Sequence, residues 1–299
     1  VWIMLVVLVA VFSLAVPNFA TTGNMVTILR QVANIGILSV GMTFVLISGG
    51  IDLSIGNQMG LVGVIAALLM VQYNVSPVLA CLVGLVVGVI VGLINGLLIT
   101  YTQMPPLIMT LGMSYATRGM AYIITGGYPV YGLPESMKWM AQGYLFGVIP
   151  VCVLVMVIVI AIGAFIMNKT YVGRQFYAIG SNEEAARLSG VNVNKWKILI
   201  YSVCGLFAGL AGIFYAGTYT TVLPGSGNGQ ELNAIAAVVI GGTSMSGGSG
   251  TMVGTLIGAF IMSVLKAGLS SMGLQAHWQT FITGFVVIGA VLLDKARTN

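Results

Sequence analysis

Glu183, Glu184 and Arg187 stand together in the longest polar run of this sequence, Asn168 to Lys197, NKTYVGRQFYAIGSNEEAARLSGVNVNKWK. With Lys169, Arg174, Lys195 and Lys197 the run holds five of the eleven basic residues and two of the six acids. The chemistry this suggests is recognition. Glu184-Ala185-Ala186-Arg187-Leu188-Ser189-Gly190 reads as a short helix ended by a glycine that permits a left-handed cap, a surface shaped for a soluble partner to grip. No catalytic residue is expected. The sequence has no GxxxxGK[ST] phosphate loop, no serine–histidine–acid arrangement and no paired carboxylates. If ATP drives the protein, another chain must bind it.

A second group of chemically capable residues lies in apolar surroundings. Asp52, Glu231, Arg30, Arg118 and Lys266 are charges at or within apolar segments, where charge is expensive and often functional. Each also has a structural reading. Asp52 precedes Leu53-Ser54 and suits a helix cap. Glu231 suits the positive end of a helix dipole. Arg30 and Lys266 fall near predicted outer helix ends and can snorkel. Asn34, Asn57, Gln58, Asn95, Tyr115 and Asn233 donate and accept without fixed charge, which suits a hydroxylated solute; such groups also join helices. Asn57, Gln58, Asn95, Asp52 and Asn233 are the candidates for lining a translocation pathway. The single histidine, His277, reads as a helix-end residue near an interface. Cys81, Cys152 and Cys204 all lie in apolar runs, with no CxxC and no cysteine–histidine cluster, so neither a disulfide nor a metal site is expected.

The elements that hold these residues are set by composition. The 299 residues are 58% hydrophobic and 6% charged, with mean hydropathy +1.05. Soluble domains carry about 25% charged residues, so bilayer is the solvent here. The apolar runs are long and lack period-two alternation, which excludes a barrel and leaves helices. Ten segments follow: 1–16, 25–48, 54–72, 77–101, 105–124, 148–167, 196–220, 230–240, 251–270 and 277–293. The eighth, ELNAIAAVVIG, is short and reads as a half-helix buried against protein. Together they form a single transmembrane domain, 1–299, all-α and polytopic. The basic loop at about 168–197 belongs on the cytoplasmic side. Parity then puts both termini inside, and the tail Asp294-Lys295-Ala296-Arg297 fits that side. The net charge of +5 serves orientation and implies no nucleic acid. The outer loop 125–147, with Tyr128, Tyr131, Trp139, Tyr144 and Phe146, reads as an aromatic belt with a possible docking role. The sequence begins at Val1 rather than methionine, so a cytoplasmic leader is expected ahead of it.

Gly84, Gly88, Gly92 and Gly96 are spaced by four and share one helical stripe, a device for close helix approach in lipid. Gly250, Gly254 and Gly258 repeat it, as do Gly205 and Gly209. Two glycine-rich turns, 49–56 and 241–248, match at four of eight positions and suggest an internal repeat.

Several motifs carry a resemblance. Glu184-Ala185-Ala186-x-x-x-Gly190 is similar to the EAA-type motif of membrane subunits of ATP-binding-cassette importers. Arg187 to Lys195, Gly205 to Gly212, Ser48 to Ser54 and Glu231 to Ser244 resemble the ribose-type monosaccharide permeases, and Gly56-Asn57-Gln58-Met59-Gly60 looks closer to galactose-type ones. Position 233 is asparagine where relatives often have aspartate. The resemblance implies a pore half that pairs with a second copy or a related chain in the bacterial cytoplasmic (inner) membrane. It implies a cytoplasmic ATPase with two cassettes, carrying the ATP and magnesium, and a periplasmic or lipid-anchored sugar-binding protein. The coupling helix would comprise Asn182, Glu183, Glu184, Ala185, Ala186, Arg187, Leu188, Ser189 and Gly190. An ion-coupled secondary transporter, or an importer permease for nucleosides or branched-chain amino acids, is the alternative.

Overall fold

Long apolar runs with good helix formers become helices here, and prolines, glycines and short polar stretches separate them. The computed structural model describes residues 1–147 and 149–298. Its helices are α1 (Trp2–Ala15), α2 (Thr22–Ile47), α3 (Ile55–Val71), α4 (Pro77–Thr102), α5 (Pro106–Thr125), α6 (Glu135–Gln142), α7 (Val151–Lys169), α8 (Tyr171–Ser181), α9 (Glu183–Leu188), α10 (Val193–Tyr219), α11 (Gln230–Ile240), α12 (Met252–Ser271) and α13 (Ala276–Thr298). A two-residue hairpin, β1 (Tyr144–Leu145) with β2 (Ile149–Pro150), is the only sheet among the described residues. Each of the ten expected apolar segments appears as a helix, within a few residues of its expected ends. Val148, which opens the expected sixth segment, lies outside the described residues, as does the side chain of Arg297 in the expected basic tail.

Five helices, α2, α4, α7, α10 and α12, are long and apolar enough to cross a bilayer. α11 is not. Its 11 residues rise about 17 Å, roughly half of a ~30 Å hydrocarbon core. The ten residues before it, 220–229, are not helical. Val222 pairs with Val130 of the outer loop, and Gly227 packs backbone to backbone on Gly56 in the first turn of α3.

α2 is the hub of the core. From Val32 to Ile47 nearly every side chain is buried, against α7, α10, α11 and α12. α10 packs most closely on α4, through the expected glycine stripe. A Cβ on Gly88 would meet the Gly205 carbonyl, one on Gly92 the Tyr201 carbonyl, and one on Gly96 the backbone of Ile198. In lipid, no hydrophobic drive holds helices together, so this contact area does the work.

Two helices occupy sequence read as loop. α6 lies in the outer loop, with Met137 and Ala141 buried and Gly217 of α10 beneath them. Arg30 ties α2 to the same loop: its Nη2 donates to Gln142 O at 2.8 Å and its guanidinium lies 5.5 Å from the centre of the Tyr144 ring. α8 lies in the basic loop and buries Gly173, Gln175, Phe176 and Ile179.

Candidate functional site

The polar run folds into three consecutive capped helices. Thr170 caps α8, Asn182 caps α9 and Asn192 caps α10; each side-chain oxygen accepts a backbone N–H of the first turn. For α9 the bond is Ala185 N–H to Asn182 Oδ1, 2.9 Å, and Glu183 and Glu184 place negative charge at the positive end of the dipole. At the other end Gly190 has φ +87°, Gly190 N–H donates to Arg187 O at 3.0 Å, and Val191 N–H donates to Ala186 O at 3.1 Å. This is the paired closure of a Schellman cap.

A helix of six residues has no stability of its own, so its supports matter. Ala186 is buried in a small apolar cluster with Ile179 of α8 and Val193 of α10, flanked by Val191 and Trp196. Glu183 bridges to Arg187 at 3.2 Å and to Lys197 of α10 at 2.6 Å. The outer side is open: Glu184, Ala185, Leu188 and Ser189 are exposed, and Leu188, at 84%, presents an apolar side chain to solvent. The residues expected to form the coupling helix, Asn182 to Gly190, thus form one capped, braced and outward-facing unit.

α8 connects this unit to the interior. A Cβ on Gly180 would overlap the Ile47 carbonyl at the end of α2 and the backbone nitrogen of Gly248. Gly248 N–H itself donates to Ile47 O at 2.9 Å, and Gly247 lies against Gly49 and Gly180. The two glycine-rich turns therefore meet each other and α8 at one point. Tyr177 of α8 adds a hydroxyl bond to Gly250 O at 2.7 Å; burial pushes its phenol pKa up.

The five pathway candidates divide. Asp52 is fully buried in the break between α2 and α3, where Oδ1 accepts from Ser54 N at 2.8 Å and from the Ser54 hydroxyl. Asn95 Nδ2 of α4 donates to the same hydroxyl at 2.8 Å. Asn57 Nδ2 donates to Ser114 Oγ of α5 at 2.8 Å, and Gln58 Nε2 donates to Gly88 O of α4 at 3.4 Å. These four residues join helices around one break. Asn233 lies apart, in the first turn of α11, with Nδ2 on Gln230 Oε1 at 3.0 Å.

Near Asn233 the structure opens two neighbouring cavities. One, of ≈ 220 Å³, lies between Gln31 and Asn34 of α2, Tyr215 and Tyr219 of α10, Gln230 of α11, Lys266 and Ser270 of α12, and Gln279 of α13. The other, of ≈ 690 Å³, adds Glu231 and Asn233 and shares Gln230, Lys266 and Gln279. Lys266 thus faces a cavity, where the sequence suggested snorkelling at a helix end. Glu231 takes the expected place at the positive end of α11, its Oε1 accepting from Gly229 N at 3.2 Å. Sequence reasoning passed over Gln31, Gln230 and Gln279; the signal available was their amide chemistry inside or beside apolar segments.

Comparison with known proteins gives the family. Residues 24–291 match the family model described as branched-chain amino acid transport system / permease component. The chain is 43% identical over 296 residues to the ribose import permease protein RbsC of Bacillus subtilis (strain 168), covering 98% of this chain and 91% of the relative. It is 41% identical over 299 residues to RbsC of Escherichia coli (strain K12), covering 99% and 92%. The autoinducer 2 import system permease protein LsrC of Yersinia pestis (strain Pestoides F) is 34% identical over 258 residues, 86% of this chain and 73% of the relative. No solved structure matches. A multi-pass helical bundle, a capped helix on its basic loop and this coverage agree: the chain belongs to the branched-chain amino acid transport system / permease component family of membrane permeases.

Proposed function

We propose that this chain is the membrane-spanning subunit of an ATP-binding-cassette importer that moves a monosaccharide of the ribose kind. The observation that carries the reading is α9. It is too short to stand alone, yet it is capped at both ends, braced by the Glu183–Lys197 ion pair to α10 and exposed through Leu188, a form suited to docking in a groove of a cytoplasmic ATPase. The relatives named for ribose import supply the solute class.

In this reading the chain crosses the bilayer ten times with both termini cytoplasmic. The eighth crossing combines the non-helical 220–229 with the half-helix α11. A second copy or a related chain completes the pathway, ATP and magnesium are held on the partner ATPase, and a sugar-binding protein delivers solute outside. ATP-driven closure of the cassettes pushes α9, and the bundle shifts between inward-open and outward-open packings. Of the pathway candidates Asn233 borders the cavity, while Asp52, Asn57, Gln58 and Asn95 hold the α2–α3 break in shape.

The test is D-ribose uptake into vesicles containing the complete importer. Uptake should require ATP and binding protein, and Leu188→Asp, which puts charge where an apolar contact is expected, should abolish binding-protein-stimulated ATP hydrolysis without loss of membrane insertion. Uptake driven by an ion gradient in the absence of ATP would refute the reading.

A further inference from the structure

The two neighbouring cavities have a composition that the helix contacts do not explain. Gln31 and Asn34 of α2, Gln230 of α11 and Gln279 of α13 put four amides on the wall of the smaller lobe, and Gln230, Asn233 and Gln279 are among those on the larger. Lys266, whose ammonium carries three donors, borders both lobes and makes no ion pair among the described residues. Asp52, Asn57, Gln58 and Asn95 border neither lobe. One wall is aromatic: the rings of Tyr215 and Tyr219 lie 4.5 Å apart, and Tyr219 is half exposed. The first turn of α11 forms another wall, where a broken membrane segment brings a helix N-terminus inside the bundle.

We infer that these cavities are a transit site for a neutral polyhydroxylated ring, with the amides of Gln31, Asn34, Gln230 and Gln279 exchanging hydrogen bonds with its hydroxyls, Lys266 donating to ring or hydroxyl oxygens, and Tyr219 packing on the C–H face. The inference rests on the importer reading above and names the part of the chain that touches the solute. Amides donate and accept without fixed charge, and an unpaired cation calls for acceptors. A polyol carries both on every carbon and brings no charge of its own. The larger lobe, ≈ 690 Å³, is of the size seen in small-molecule sites, about 300–1,000 Å³. Each contact is a single hydrogen bond, so the site holds solute weakly and releases it, as a transporter requires.

The experiment uses the complete importer in vesicles, with Cys81, Cys152 and Cys204 replaced by alanine. Asn34→Cys and Ser270→Cys place one thiol each on the smaller lobe. Methyl methanethiosulfonate should stop the uptake that each variant retains, and D-ribose with binding protein and ATP should slow the modification. Lys266→Met should lower the ribose moved per ATP hydrolysed by roughly three- to tenfold, the loss of one or two hydrogen bonds, while binding-protein-stimulated hydrolysis persists. Modification of both thiols with uptake unchanged, or at a rate indifferent to ribose, would overturn the site while the importer reading stands. Wild-type vesicles without ATP-dependent ribose uptake would instead overturn the importer reading, and this inference with it.

Discussion

Gly190→Val is the sharpest perturbation of the coupling unit. Gly190 adopts φ +87°, and a Cβ there meets nothing within 4 Å, so the substitution tests backbone conformation without a clash. A β-branched residue held in that region costs about 1–3 kcal/mol. The alternative is to let the cap open. That forfeits the bonds from Gly190 N–H to Arg187 O and from Val191 N–H to Ala186 O, about 0.5–1.5 kcal/mol each, and loosens Ala186 from its apolar cluster. Both routes cost about 2 kcal/mol, roughly a thirtyfold shift toward unwound α9. Because six residues do not hold a helix alone, the loss falls on the docking surface and spares the membrane bundle. The assay is binding-protein-stimulated ATP hydrolysis and ribose uptake at matched membrane insertion. Gly190→Val should lose most of both. Gly190→Asn should keep most of both, since asparagine enters the left-handed region at small cost. Wild-type uptake by the valine variant, or equal loss in the two variants, would refute the reasoning.

The remaining predictions concern topology and packing. With the native cysteines removed, Ser181→Cys in α8 and Ser136→Cys in α6, both exposed, should react with an impermeant maleimide from opposite sides of the membrane; labelling from one side would break the ten-crossing scheme. Gly92→Leu should sharply reduce the folded protein recovered from membranes, because its side chain enters the Tyr201 carbonyl and overpacking costs about 1–3 kcal/mol or more. Gly112→Leu, on α5 with nothing within 4 Å, is the matched control and should be recovered like wild type; equal recovery of both would dismiss the glycine stripe as the seam.

Much of this architecture is legible in the sequence because bilayer burial leaves a coarse signal. Runs of apolar residues mark the helices, Gly88 to Gly96 mark the seam with α10, and Asn182 with Gly190 mark the ends of α9. The rest depends on which face a residue presents. Asn57, Gln58 and Asn95 have the chemistry to line a pathway, and sequence alone does not tell that their amide nitrogens bond Ser114, Gly88 and Ser54. Lys266 lies near a helix end, but the half-length of α11 leaves a gap beside it, and the side chain borders that gap. α8 was hidden because its buried residues, Gly173, Gln175, Phe176 and Ile179, are too few and too mixed in polarity to stand out within a basic run.

The contact of Gly180 with Ile47 and Gly248 governs timing. Where side chains separate two segments, a displacement can be absorbed by rotamer changes before anything beyond them moves. At this junction peptide groups touch directly, and a Cβ has no room. Compliance is therefore low, and a small shift of α8 reaches the end of α2 and the turn before α12 in the same instant. The Gly248–Ile47 bond closes the loop, so neither turn can lag without losing its partner. Within one chain the end of α2 and the turn before α12 are therefore held to each other, and a displacement of α8 is shared by both.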